Sequence, residues 1–382
     1  MTNTEHKKEI MKPKYVCLKY SQVVSILTIM LLLNAGCGIF GSDDSFVVPS
    51  DPSFTCTNSE PGTWTYLGIP EEIILSIAIN PNNAGHMLVG TSGNFSAGTQ
   101  GKIFMSTDCG ENWEQVWEGG TIDEIHFDPK SPNVVYANPY GMIRSTDWGK
   151  TWSDRSNGLT EYLSFTSSVT TFAIDPEQPR RIYAGTAGQG GGLIFYTNNA
   201  GASWQLIPAH EEDGSDDGMF RNAVAFIETD PENHGHVYVG NGPIMRSTDR
   251  GESWETLRET DSNVIYTMAF SADHSKIYAM NTWRGFYEFD MPDGPWTFTP
   301  YPDSLEGTFI NSIIDTDLVE GILLGTGRGV MRRHNDEYFS MVDNLPIDHT
   351  RALYLHKQNL YVASSHVDYL DIPGGLYVRR LD

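Results

Sequence analysis

From residue 62 onward, short apolar runs alternate with breaks rich in Pro, Gly, Asn and Asp, and no long stretch spaces its apolar residues as a helix would. The runs recur in a fixed order. First comes a run closed by a proline turn: Ile77-Ala78-Ile79-Asn80-Pro81, Ile125-His126-Phe127-Asp128-Pro129, Phe172-Ala173-Ile174-Asp175-Pro176, and a fourth ending at Asp230-Pro231. Next is a run that ends on small residues: Met87-Leu88-Val89-Gly90, Val134-Val135-Tyr136-Ala137, Ile182-Tyr183-Ala184-Gly185 and Val237-Tyr238-Val239-Gly240. A third run precedes a polar turn (Ile103-Phe104-Met105, Met142-Ile143, Leu193-Ile194-Phe195, Ile244-Met245), and a fourth starts at a tryptophan. Each unit predicts four strands, A to D. Four-stranded units recurring at about 40 to 50 residues predict the blades of a β-propeller.

Three further units keep the strands without the polar turn. They run through Met268-Ala269-Phe270 to Trp296, Ile313-Ile314 to Phe339, and Leu353-Tyr354-Leu355 to Val378, where the last unit stops without a strand D. Gly62-Thr63-Trp64-Thr65-Tyr66-Leu67 reads as a strand D with no A, B or C of its own. Pairing it with the C-terminal strand removes an exposed edge and closes a ring. The expectation is all-β: a single seven-bladed propeller over residues 62–382, its four-stranded antiparallel blades completed by the N-terminal strand.

Ahead of the propeller, Lys7, Lys8, Lys12, Lys14 and Lys19 precede an apolar run from Val23 to Leu33, which suits a signal-peptide core and is short for a bilayer span. Leu33-Asn34-Ala35-Gly36-Cys37 resembles the bacterial lipobox. The resemblance implies cleavage after Gly36, lipidation of Cys37 and acylation of the new N-terminus, with chains enough for stable anchoring. Asn34 departs from the pattern, where an aliphatic residue is usual. Residues 1–36 then form a lipoprotein signal peptide, and the Gly-, Ser-, Asp- and Pro-rich residues 37–61 a lipidated, flexible tether. The expected location is the bacterial cell envelope, periplasmic or surface-exposed, at the outer membrane where one is present. Once Cys17 leaves with the signal and Cys37 is lipidated, Cys56 and Cys109 remain, able to pair in an oxidising compartment or to persist as thiols.

The formal charge is −24; five lysines and two glutamates in the first 37 residues make that segment +3, leaving −27 for the rest. Such a surface repels phosphate backbones and argues against nucleic acid as a partner.

The polar turn between strands C and D carries a motif: Ser106-Thr107-Asp108-Cys109-Gly110-Glu111-Asn112-Trp113, Ser145-Thr146-Asp147-Trp148-Gly149-Lys150-Thr151-Trp152, Thr197-Asn198-Asn199-Ala200-Gly201-Ala202-Ser203-Trp204 and Ser247-Thr248-Asp249-Arg250-Gly251-Glu252-Ser253-Trp254. This resembles the Asp-box, or BNR repeat, S/T-x-D-x-G-x-S/T-W, with Asn199 in place of Asp in the third copy. A carboxylate there can accept backbone N–H groups and lock the turn, the glycine supplies positive φ, and the tryptophan opens strand D and buries its ring. The expected roles of Asp108, Asp147, Asn199 and Asp249, with Gly110, Gly149, Gly201 and Gly251 and Trp113, Trp152, Trp204 and Trp254, are therefore structural.

Propellers with such boxes include sialidases, xyloglucan-cleaving glycosidases, the sortilin ectodomain and a photosystem II assembly factor, so the resemblance fixes a fold and leaves function open. The arginine triad and Arg-Ile-Pro-like segment of sialidases are not recognisable here. A xyloglucanase cleft lies between two propellers, and this chain has one. No nucleophile motif, phosphate loop or zinc-ligand cluster occurs, and the eleven histidines are scattered.

Antiparallel order places the A–B turns and the boxes on one face, which reads as scaffold, and the longer B–C and D–A loops on the other. The candidate ligand-binding residues on those loops are Phe95, Tyr162, Trp283, Arg284, His366 and Tyr369. Asp368 and Asp371 are loop carboxylates that a glycosidase could use. The acidic run from His210 to Asp217 lacks the spacing of a calcium loop and reads as solvated. The expectation is a binding or assembly-factor module for an envelope protein or polysaccharide, without cofactor or metal; the alternative is a sialidase- or endoglucanase-like glycoside hydrolase.

Overall fold

The computed structural model describes residue 56 and residues 61–381 except 70–71, 94–97, 164–167, 188–190, 209–222, 242, 260–264, 282–283, 306–307, 342–344, 346–348 and 365–373. Strands dominate throughout, and each sheet has four of them in the spatial order A-B-C-D. Blade 1 comprises β2 (Ile74–Asn80), β3 (Asn83–Thr91), β4 (Gly101–Ser106) and β5 (Glu114–Gly119). Blade 2 comprises β6 (Ile122–Phe127), β7 (Val135–Pro139), β8 (Ile143–Ser145) and β9 (Ser153–Asp154). Blade 3 holds β10 (Ser168–Ile174), β11 (Ile182–Ala187), β12 (Ile194–Thr197) and β13 (Gln205–Leu206), and blade 4 holds β14 (Phe226–Thr229), β15 (Val237–Gly240), β16 (Ile244–Ser247) and β17 (Glu255–Arg258). Blade 5 is β18 (Ile265–Phe270), β19 (Lys276–Asn281), β20 (Gly285–Asp290) and β21 (Trp296–Pro300). Blade 6 is β22 (Ile310–Asp315), β23 (Ile322–Thr326), β24 (Gly329–His334) and β25 (Glu337–Ser340).

Blade 7 closes the ring as the strand count predicts. Its A, B and C strands are β26 (Thr350–His356), β27 (Asn359–Ser364) and β28 (Gly375–Arg380), and its strand D is β1 (Thr65–Gly68), which pairs antiparallel with β28. The pairing places Thr65 opposite Val378 and Tyr66 opposite Tyr377, with a bulge before Gly68. Successive A strands contact one another around the centre, and β26 contacts β2. The fold is a seven-bladed β-propeller.

The apolar faces explain the architecture. Strand B is buried on both sides in every described blade, whereas strand D is mostly polar and exposed. Tyr136, Tyr183, Tyr238 and Tyr361 occupy matching positions in four B strands and are fully buried. The cores therefore lie between neighbouring blades. One joins Leu67, Val378 and Tyr361 of blade 7 to Ile77, Met87 and Val89 of blade 1; another joins Tyr136 of blade 2 to Phe172 and Phe195 of blade 3. Burying such aromatic and aliphatic side chains contributes about 1.5–3 kcal/mol each. Small residues ending strand B have a packing reason: a Cβ on Gly185 would fall 2.6 Å from Val224, ahead of the next blade's A strand.

One expectation needs correction, and one open alternative is decided. The box tryptophans precede strand D rather than open it; β5, β9, β13 and β17 each start just after them. Cys56 and Cys109 are joined in a disulfide, with Cα atoms 5.6 Å apart. The sequence leaves disulfide and thiols both open, because 53 residues separate the pair and only ring closure brings Cys56 back beside blade 1.

Candidate functional site

The four polar turns fold alike. In the first, the Ser106 hydroxyl donates to Asp108 Oδ1 (2.8 Å) and accepts from Gly110 N–H (2.8 Å), while Asn112 N–H donates to Asp108 Oδ1 (2.9 Å). Ser145, Asp147 and Thr151 repeat this, as do Ser247, Asp249 and Ser253. The third copy substitutes an amide without loss: Asn199 Oδ1 accepts from Thr197 and from Ser203 N–H, and its Nδ2 donates to Ser203 Oγ. Partial burial pushes the Asp108 carboxyl up, but the hydrogen bonds from Asn112 and Ser106 outweigh it and hold the group below its ordinary range. Asp147 and Asp249 are held down in the same way.

The residue before each glycine, Cys109, Trp148, Ala200 or Arg250, has positive φ, and its N–H donates to a carbonyl of the same blade, at Gly85 near the start of strand B or at Asn133, Arg180 and Gly235 in the A–B turns respectively. Sequence reading did not anticipate this clip. Both carboxylate oxygens of each of these acids accept bonds that hold the turn, which makes their role structural.

On the opposite face, a groove of about 820 Å³ lies between blades 1 and 2. Its walls come from Thr99 and Gln100 of the blade 1 B–C loop, Gly119 and Gly120 after β5, the turn Pro139-Tyr140-Gly141, and Asp154, Ser156, Thr160 and Leu163. The turn is unusual. Gly141 N–H donates to Pro139 C=O (2.7 Å), closing a three-residue γ-turn, and Tyr140 sits at φ +65°. Positive φ is costly for a bulky residue, by roughly 1–3 kcal/mol, and persists where surrounding structure fixes it. Here the Tyr140 carbonyl accepts from Val169 N–H (2.6 Å). The ring lies close to the backbone at Gly120, where an added Cβ would meet Tyr140 Cδ2 at 2.8 Å, and the side chain remains 37% exposed. Beside it, the Ser156 hydroxyl donates to Asp154 Oδ1 (2.7 Å) and accepts from Met142 N–H (3.0 Å). An exposed ring, a glycine floor and an oriented hydroxyl–carboxylate pair can stack on and hydrogen-bond a polyhydroxylated ligand. Asp154 is the one carboxylate among the described lining residues.

A second pocket, of about 230 Å³, lies on the A strands of blades 2 to 4, bordered by Pro129 and Pro176 of the A–B turns. This corrects the expectation that the turn face carries scaffold alone. Glu124 Oε2 accepts from Phe172 N–H (2.8 Å) and lies 3.4 Å from His126 Nε2; Phe172 meets the His126 ring edge-on at 4.7 Å. Burial, with repulsion from Glu124, pushes Glu228 up to about 7 against the pull of His126, and burial beside Glu124 does the same to Asp123. Burial lowers His126, but its hydrogen bond to Glu124 and the charges of Glu124 and Glu228 outweigh this and raise it. The His126 side chain is 48% exposed at the rim of this pocket. Among the described residues no set of three His, Cys, Asp or Glu side chains is placed to hold a metal ion.

Of the six predicted ligand-binding residues, Phe95, Trp283, His366 and Tyr369 lie outside the described residues, as do Asp368, Asp371, Cys37 and the acidic run at 210–217. Tyr162 is 44% exposed beside groove residues Thr160 and Leu163, with its ring 5.1 Å from Phe195. Arg284 is exposed on the blade 5 B–C turn, its N–H donating to Asn281 Oδ1 (3.0 Å), and it does not line the groove. Tyr140 and Asp154 carry no sequence signal of a long loop, because they sit on a tight turn and a two-residue strand. The Asn-Pro-Tyr-Gly run was the available signal.

No protein-family model matches the chain. It is 27% identical over 154 residues to a xyloglucanase of Hypocrea jecorina, covering 39% of this chain and 17% of that protein. It is 25% identical over 276 residues to a Neosartorya fischeri protein named as an oligoxyloglucan-reducing end-specific xyloglucanase, covering 60% and 31%. The chain thus spans less than a third of either relative. Among solved structures, an ancestral GH74 enzyme superposes with a TM-score of 0.54 at 16% identity, over 82% of this chain and 47% of that one. YCF48 bound to D1 peptide gives 0.56 at 14%, over 87% and 100%. The extracellular domain of a one-component system from B. thetaiotaomicron gives 0.60 at 11%, over 85% and 40%. These structural likenesses concern the fold alone.

Proposed function

We propose that the chain is an envelope-anchored carbohydrate-binding propeller that holds a polysaccharide in the groove between blades 1 and 2 without cleaving it. The observation that carries this is the Tyr140 ring, fixed on a strained turn over a glycine floor beside the Asp154–Ser156 pair. The xyloglucanase relatives support a carbohydrate ligand. The Asp-box assignment, lipidation of Cys37 and an extracytoplasmic location belong to the same proposal; the signal-like N-terminus and the disulfide support them.

A second reading is a glycoside hydrolase. It draws on the same relatives and on Glu228, which burial and the neighbouring Glu124 push up to about 7, into the range of a general acid. Hydrolysis needs two carboxylates flanking one bond, and the groove has one among its described lining residues, already hydrogen-bonded to Ser156. Calorimetric titration of neutral and anionic polysaccharides, beside a reducing-end assay on the same panel, separates the readings. Saturable binding without new reducing ends supports the binder; turnover abolished by Glu228→Gln in a folded protein overturns it. Cys37→Ser tests the anchor separately: it should move the protein to the soluble fraction, and unchanged membrane association would refute lipidation.

A further inference from the structure

We infer that the Cys56–Cys109 disulfide is a clasp that removes the ring-closing strand from the path of any tension arriving through the N-terminal segment. The inference rests on the disulfide and the topology, and does not require the binding proposal.

The ring closes through one short strand. β1 is four residues long, is the outermost strand of blade 7, and pairs with β28 at three positions with a bulge among them. Ahead of it, among the described residues, lie a bridge from Pro61 to Arg380, a hydrogen bond from Gly62 N–H to Arg380 C=O (3.3 Å), and Trp64, whose Nε1 donates to Met341 C=O (3.3 Å) and whose buried ring packs with Tyr377 and Leu381 under the Arg379 guanidinium. A pull on residues ahead of Pro61 would meet these contacts one after another and peel the strand.

The disulfide changes that route. The covalent loop from Cys56 to Cys109 encloses β1 together with β2, β3 and β4. Tension applied between a point ahead of Cys56 and the C-terminus crosses from sulfur to sulfur and continues from Cys109 onward, so β1 carries none of it. Cys109 is firmly held: its N–H donates to Gly85 C=O (3.1 Å), and the turn around it is locked by Ser106 and Asp108. Both cysteines are buried, at 6% and 7% exposure.

The test is optical-tweezer unfolding of the full chain, with one handle ahead of Cys56 and the other at the C-terminus, before and after reduction of the tethered, folded molecule. Reduction lengthens the fully unfolded chain by roughly 180 Å, which verifies that the bond has opened. The clasp predicts that reduction also adds an early, low-force event releasing roughly 40 Å, the length of residues 56–68. Trp64→Phe, which removes the hydrogen bond to Met341, should lower that early force in the reduced molecule and leave the oxidised molecule's first rupture unchanged. A first rupture of the same force and length in both redox states, or an equal effect of Trp64→Phe in both, would overturn the inference.

Discussion

The indole N–H of Trp113 donates to the carbonyl of Leu67 at 2.7 Å, joining blade 1 to the strand that completes blade 7. The contact recurs around the ring: Trp204 reaches Arg155, Trp296 reaches Leu257 and Trp64 reaches Met341, each across to the preceding blade. Trp254 has the same place in its repeat but a buried Nε1 without a partner. Trp113→Phe should therefore cost about 1 kcal/mol in chemical denaturation, and Trp254→Phe distinctly less. Equal costs would show that the indole packs but does not latch.

Gly149 tests the packing behind the boxes. It has φ +92°, and an added Cβ would lie 2.7 Å from Leu88 Cδ1 in blade 1. Gly149→Ala should destabilise by about 2–3 kcal/mol through left-handed strain and overlap together. Leu88→Ala creates a cavity of its own, yet combined with Gly149→Ala it should cost less than the sum, because the two sites share one clash. Strict additivity would remove the steric part.

Stability should respond to pH in two opposed ways. His86 is fully buried beside Asn80, and burial lowers it to about 4 against a weaker upward pull from Trp148. The unfolded chain takes up this proton first, so stability falls as pH drops from about 6.5 to 4, by up to about 3 kcal/mol. His86→Gln should flatten that loss. Glu228, raised to about 7, acts in the other direction. The folded chain keeps its proton longer, so its contribution declines as pH rises from the ordinary carboxylate range through 7. Glu228→Gln should stabilise the protein at pH 8 and have little effect at pH 4; melting curves across pH 4–8 measure both.

Opening the disulfide should cost about 4 kcal/mol of global stability on the chain-entropy account of a loop of this length. Denaturation of the wild type with and without reductant, set beside Cys56→Ser/Cys109→Ser, checks it. A loss well under 1 kcal/mol would mean that the unfolded chain is already compact around this loop.

Most of the scaffold was legible because its signals are local and repeated. Asp-Pro turns mark where strand A ends, the Tyr of each Ile/Val-Tyr-small run marks a B strand buried on both faces, and the box glycines mark positive φ. The closing strand was legible from a deficit, since Leu376-Tyr377-Val378 had no following strand D. The groove was not, because Tyr140 and Asp154 of blade 2 gain their facing wall of Gly119, Gly120, Thr99 and Gln100 only when blade 1 packs beside them, and neither lies in a long loop. Glu124, His126 and Glu228 were hidden for a similar reason: they lie on A strands of different blades, and nothing in either run shows that they converge.

The most direct test of the account is calorimetric titration of a polysaccharide panel against wild type, Tyr140→Ala and Asp154→Asn, with reducing ends counted in the same samples. Stacking on one aromatic ring contributes on the order of 1–2 kcal/mol, so Tyr140→Ala should weaken binding about tenfold or more, with no hydrolysis in any sample. Unchanged affinity in folded Tyr140→Ala, or sugar release by the wild type, would contradict it.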